Sequence, residues 1–157
     1  MLTATFTCES PDETRQLGEL IGRMAQPGEV WSLSGPLGAG KTVLVQGLAQ
    51  GLGFPATATS PTFTLQHIYE GRLNLYHFDW YRLSKPREVE ELGWAEWTGR
   101  GGVVAVEWGD KFPQLLPPST IKVAIEFVNE DSRRLTVEAD SPESILRVEE
   151  LIRCWPP

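Results

Sequence analysis

Cysteine and histidine are scarce, with two of each in 157 residues. Cys8 and Cys154 stand at opposite ends of the chain, and no close cysteine or histidine pair has the spacing of a zinc site. Reduced thiols in a cytosol are therefore expected rather than a disulfide or zinc framework. Long apolar runs are missing too. The longest aliphatic stretch, residues 103–106, is far too short to span a bilayer, and residues 1–10 lack the basic start and apolar run of a secretion signal. A cytoplasmic protein without membrane attachment is expected. Basic residues are outnumbered, 14 Lys and Arg against 21 Asp and Glu, for a formal charge of −7. That balance repels polyphosphate and argues against direct gripping of RNA or DNA. A local basic pocket can still hold one nucleotide, because directed hydrogen bonds outweigh a diffuse and salt-screened repulsion.

What is present suits one ordinary domain over residues 1–157, with no repeat, low-complexity tract or linker. Alternation over residues 2–7 marks a strand. Ser10, Pro11, Asp12 and Glu13 supply a cap, a first-turn proline and early acids for a helix carrying Leu17, Leu20, Ile21 and Met24. Residues 30–34 form a second strand. Leu44, Leu48 and Leu52 then make a helical stripe that starts directly on a glycine loop. Residues 62–69 and 72–80 read as a hairpin or two adjacent strands, and residues 86–97 as one short surface helix. Residues 103–106 lack polar alternation, as a parallel strand covered on both faces does. A second hairpin joins residues 121–127 to 135–139, and Ser141 caps a final helix. The expected fold is α/β of the P-loop nucleotide-binding type, a mainly parallel central sheet extended by antiparallel strands and flanked by helices.

Chemistry concentrates in Gly35-Pro36-Leu37-Gly38-Ala39-Gly40-Lys41-Thr42. Glycines allow a tight turn that brings successive N–H groups against phosphate oxygens. Lys41 supplies a mobile ammonium, Thr42 a hydroxyl for magnesium, and the helix N-terminus its dipole. An apparent strand before the loop and an amphipathic helix after it are the context this motif requires.

Magnesium held on such a loop needs a nearby acid. Glu107 ends the apolar run and, on a central parallel strand, lies at the ligand crevice; the alternative is a solvated strand-end glutamate. Asp79 either orients an attacking water or caps a turn or pairs with Arg82. Ser60-Pro61-Thr62 reads as a turn or as a segment sensing the terminal phosphate. Trp108 adjoins Glu107 and either packs or borders nucleotide. His67 and His77 lack a matched nucleophile and read as structural. Arg133, near a hairpin tip, reads as solvated.

In order, the loop 35–42, the stretch 60–65, Tyr76-His77-Phe78-Asp79-Trp80-Tyr81-Arg82-Leu83 and Val106-Glu107-Trp108 resemble the TsaE family across almost the whole chain. The resemblance implies an ATPase needed, with TsaB and TsaD proteins, for threonylcarbamoylation of adenosine in tRNA. It implies that Thr42 and Glu107 hold Mg2+, Lys41 grips phosphate, Asp79 supports hydrolysis, and Ser60, Pro61 and Thr62 belong to a nucleotide-responsive switch. It further implies that Trp108 lies close to bound ATP and that Ser10 and Arg133 border the base or ribose. Pro36 stands where the family often has an acid, a departure that bears on affinity. The acidic charge fits an ATPase that reaches tRNA only indirectly, through partner proteins. The competing readings are a small-molecule kinase, for which no clustered arginines follow the loop, and a nucleotide-sensing module with negligible hydrolysis. No Asn-Lys-x-Asp guanine-reading motif is present, which favours ATP over GTP.

Overall fold

The computed structural model describes residues 1–54 and 66–156. In chain order these form β1 (Leu2–Cys8), α1 (Pro11–Met24), β2 (Val30–Ser34), α2 (Lys41–Gly51), β3 (Gln66–Tyr69), β4 (Leu75–Asp79), α3 (Pro86–Glu91), α4 (Trp94–Thr98), β5 (Val103–Glu107), β6 (Ile121–Phe127), β7 (Arg133–Ala139) and α5 (Pro142–Cys154). The strands make one sheet in the order β1-β7-β6-β2-β5-β4-β3. The middle four are mutually parallel, while β3 joins β4, β7 joins β6 and β1 joins β7 in antiparallel pairs. This is the mainly parallel P-loop-type sheet with antiparallel extensions expected from the sequence.

Side-chain alternation sorts the sheet into two cores. Trp31, Leu33, Leu75, Ala105, Val123 and Val137 face one way, under Leu17 and Ile21 of α1, Leu44 and Leu48 of α2, and Val148 and Leu151 of α5. Tyr76, Phe78, Val104 and Val106 face the other way, under Val89 of α3, Trp94 of α4 and Phe112. Trp94 sits edge-on against Phe78 and Trp80 at 5.1 and 4.9 Å and donates its indole N–H to the Leu115 carbonyl. Such aromatic pairs add about 1 kcal/mol each beyond area burial. Every residue of β5 is buried, as its unbroken apolar run demands.

The structure departs from the sequence reading in one helix and at the start of one strand. The single helix expected over residues 86–97 is two, because Gly93 takes a left-handed φ of 80° that closes α3 and redirects the chain so Trp94 enters the core. Strand β7 starts two residues earlier than its apolar pattern, since Arg133 and Arg134 pair with Phe127 and Glu126 of β6 and with Cys8 and Thr7 of β1. The early part of the strand expected over residues 62–69 lies outside the described residues; its end is β3. Cys8 is fully buried, and burial pushes its thiol up to about 11, whereas Cys154 is exposed. No helix among the described residues is long and apolar enough to cross a membrane.

Candidate nucleotide site

Helix α2 is capped unlike α1 and α5. The hydroxyls of Ser10 and Ser141 accept first-turn amides in α1 and α5, but α2 begins on Gly40, whose φ of 109° only glycine adopts readily and which offers no side-chain cap. Among the described residues no side chain caps the first turn of α2, and the positive end of the helix dipole is turned toward the cleft. Gly35, directly after β2, has φ 141°, and a β-carbon there would meet the Ile125 carbonyl oxygen at 2.4 Å. Glycine is thus required at both ends of the loop.

Around this loop lies a cleft of about 310 Å3. Leu37, Gly38, Gly40, Lys41 and Thr42 form one wall; Asp79, Tyr81, Glu107 and Trp108, from the carboxyl ends of β4 and β5, form the other. Parallel pairing sets Asp79 directly opposite Glu107. Lys41 is buried, with Nζ donating to the carbonyls of Gly35 at 2.6 Å and Pro36 at 2.9 Å and lying 4.3 Å above the Trp108 ring. Burial lowers its pKa, against the opposing pull of Glu107, Asp79 and Asp110. Thr42 Oγ1 lies 3.3 and 3.4 Å from the two carboxylate oxygens of Glu107. Trp108, with φ 64°, is the one non-glycine residue with positive φ among those described, and its ring stacks on Tyr81 at 5.0 Å.

Asp79 both caps a turn, accepting the Tyr81 amide at 2.9 Å, and lines the cleft. Burial raises its pKa, with Glu107 adding to the rise and the Tyr81 amide opposing it. A carboxyl whose pKa is higher folded than unfolded favours the folded state when protonated, so its penalty grows as pH rises through the interval between the two values and persists above it. Asp79→Asn keeps an acceptor for the Tyr81 amide but removes the charge. The variant is expected to be more stable than the wild type at pH 7, with the advantage fading as pH falls through the carboxylate range. Denaturant titrations at pH 7 and pH 4 check this; a gap that widened on acidification would contradict it.

Leu37, Gly38, Gly40, Lys41, Thr42, Asp79, Glu107 and Trp108 are thus brought together as the sequence suggested, with Gly35, Pro36 and Ala39 completing the loop's frame. Ser10 caps α1, its hydroxyl taken by the Glu13 amide. Arg133 is not merely solvated. Its Nε donates to the Ala39 carbonyl at 2.9 Å, its guanidinium lies over Phe127, and a second nitrogen holds the carbonyls of Asn129, Glu130 and Ser132, so β7 braces the glycine loop. Ser60, Pro61 and Thr62 lie outside the described residues. Sequence reasoning did not connect His77 with Glu107, yet the two are hydrogen-bonded. The available signal was position: His77 stands two residues before Asp79 and shares its face of the strand.

A glycine loop between β2 and α2, an invading lysine and an acid on the neighbouring parallel strand define a P-loop nucleoside-triphosphatase-type protein. The family model described as threonylcarbamoyl adenosine biosynthesis protein TsaE matches residues 8–135. Proteins named tRNA threonylcarbamoyladenosine biosynthesis protein TsaE are similar: that of Treponema pallidum is 41% identical over 82% of this chain and 95% of its own, and that of Bacillus subtilis 39% identical over 92% and 90%. That of Nostoc is 44% identical over 87% of this chain and 85% of its own. The crystal structure of Bacillus subtilis YdiB superimposes with a TM-score of 0.82 at 33% identity, covering 97% of this chain and 95% of that one. The chain belongs to the TsaE family, which takes part in threonylcarbamoyladenosine biosynthesis in tRNA.

Proposed function

We propose that this protein is a cytoplasmic, magnesium-dependent ATPase whose slow, partner-stimulated cycle supports threonylcarbamoyladenosine formation in tRNA by acting on a TsaB/TsaD-type complex. The observation that carries the reading is the convergence of Lys41, Thr42, Asp79 and Glu107 on one cleft beside an uncapped helix start. In this reading the amides of Gly38 to Thr42 and the Lys41 ammonium receive the β- and γ-phosphates. The paired oxygens of Thr42 and Glu107 make a hard donor set that would suit Mg2+, which when bound would supply neutralisation of the phosphate charge. Asp79 orients the attacking water and receives its proton. A base with a raised pKa is better suited to that task. Trp108 borders the nucleotide, and Ser10 and Arg133 border its base or ribose. Ser60, Pro61 and Thr62 respond to the terminal phosphate.

The net charge of −7 favours contact with tRNA through partner proteins. The test is phosphate release by the full chain, alone and with TsaB- and TsaD-type proteins, beside multi-turnover tRNA modification. Slow release alone, rising at least about tenfold with partners and required for repeated modification, is expected. Modification that runs unchanged without this chain would defeat the proposal, and ATP binding without partner-stimulated release would favour the sensing module.

A further inference from the structure

We infer that His77 is a positioning residue for the Glu107 carboxylate, fixing one of its oxygens so that the other, with the Thr42 hydroxyl, is presented to magnesium. The inference rests on the proposed metal role of Thr42 and Glu107 and extends it to a residue that touches neither nucleotide nor metal.

His77 lies on β4 opposite Ala105 of β5, two residues before the Asp79–Glu107 pair, and its side chain points to the same face as theirs. Its Nε2 is 2.6 Å from Glu107 Oε2, and both side chains are buried, His77 at 0% and Glu107 at 4% exposure. A carboxylate only accepts, so Nε2 donates. Nδ1 has no partner. The tautomer with the proton on Nε2 leaves an unfilled acceptor there instead of a buried orphan N–H, so the surroundings select the form that donates to Glu107. The ring is held in place in turn. It packs against Tyr69 at 6.1 Å and 37°, and Tyr69 is linked through its hydroxyl to His67 Nδ1 at 2.9 Å. His67 is the cross-strand partner of His77.

A glutamate reaches its ligand through three rotatable bonds, and without a tether its carboxylate has several orientations available. Here Oε2 is tied to His77, while Thr42 Oγ1 lies 3.3 Å from Oε1. A metal that needs Oε1 and Oγ1 together then finds them already arranged. Partners of ligating carboxylates contribute about 10–100-fold to metal affinity or activity.

The experiment is calorimetry of ATP binding by the full chain, with Mg2+ and with EDTA, so that the gain from magnesium is read apart from phosphate binding. His77→Phe keeps a ring against Tyr69 and removes the donor. His77→Gln restores an N–H near the Nε2 position, whereas His77→Asn is too short to reach Oε2. His77→Phe is expected to lose about 10–100-fold of the magnesium gain while ATP affinity in EDTA stays within about twofold of wild type. His77→Gln should recover most of the gain and His77→Asn little of it. Equal gains in the Gln and Asn variants overturn the proposal even if the Phe variant does not fold. An unchanged gain in His77→Phe, or a parallel fall in both affinities, overturns it as well. A wild type whose ATP affinity does not respond to Mg2+ would sink the metal reading itself, a result distinguishable from failure of His77 alone.

Discussion

Lys41→Ala is expected to cut ATP turnover by about a hundredfold to ten-thousandfold while leaving the fold intact. Among the described residues the ammonium is the one side-chain cation lining the cleft. Two charge-assisted hydrogen bonds to phosphate oxygens at about 1.5–3 kcal/mol each, with a tenfold effect for every 1.36 kcal/mol, give that range. The fold is spared because the same side chain is a burden to the empty protein. Burial lowers its pKa, so the interior disfavours the charge even with the carbonyls of Gly35 and Pro36 as partners. Deleting it removes a desolvation cost along with two hydrogen bonds, and Tm should stay within about 3 °C, under 1 kcal/mol for a chain this size. Lys41→Arg should not rescue fully, since a planar fork does not fit where a compact ammonium sits. Phosphate release measured beside thermal melts checks both halves. Turnover within threefold of wild type would remove Lys41 from the mechanism, and a large drop in Tm would show that the loop, not the nucleotide, needs the charge.

Much of this site was legible in the sequence because its parts are local. A phosphate loop occupies eight consecutive residues, and its neighbours announce themselves by periodicity, a strand before and a stripe of Leu44, Leu48 and Leu52 after. Glu107 was legible for a related reason: residues 103–106 have no polar alternation, which puts them at the sheet's centre and their carboxyl end at the ligand crevice. What was missed depends on register between strands distant in sequence. Nothing in the segment from Tyr76 to Trp80 says that it lies parallel to β5 with His77 opposite Ala105, and only that alignment turns a buried histidine into a partner of Glu107. Arg133 is a similar case. As a polar residue before an apolar strand it looks solvated, yet the hairpin folds back so that it braces Ala39. The break of the helix over residues 86–97 was obscured because Gly93 is tolerated in a helical pattern. Its left-handed conformation is rewarded only by the burial of Trp94 that follows.

The seam that carries the loop is the place where the smallest substitution should do most harm to stability. Helix α1 meets α2 through Gly18 and Gly22 on one side and Gly47 and Gly51 on the other, spaced four apart on each helix. A β-carbon on Gly47 would lie 2.0 Å from the Arg15 carbonyl oxygen, and one on Gly18 would lie 2.2 Å from that of Leu44. These are backbone atoms, so no side chain can swing aside; the helices must part. Alanine's better helix propensity returns only about 1 kcal/mol, while overpacking against rigid backbone costs about 3 kcal/mol or more. Gly47→Ala is therefore expected to destabilise the protein by about 2–3 kcal/mol, lowering Tm by about 5–10 °C. Because Gly47 lies on the helix that starts at Lys41, the displacement should also weaken Mg-ATP binding. Gly28→Ala is the matched control: its φ of +89° brings conformational strain, but no atom lies within 4 Å of the added carbon. It should cost about 1–2 kcal/mol and leave nucleotide affinity alone. Gly18→Ala combined with Gly47→Ala should cost less than the sum, since helices already parted by one methyl have room for the second. A Gly47→Ala protein that melts with the wild type would show that the two helices separate freely, and the phosphate site would then owe its geometry to the sheet and to Arg133 alone.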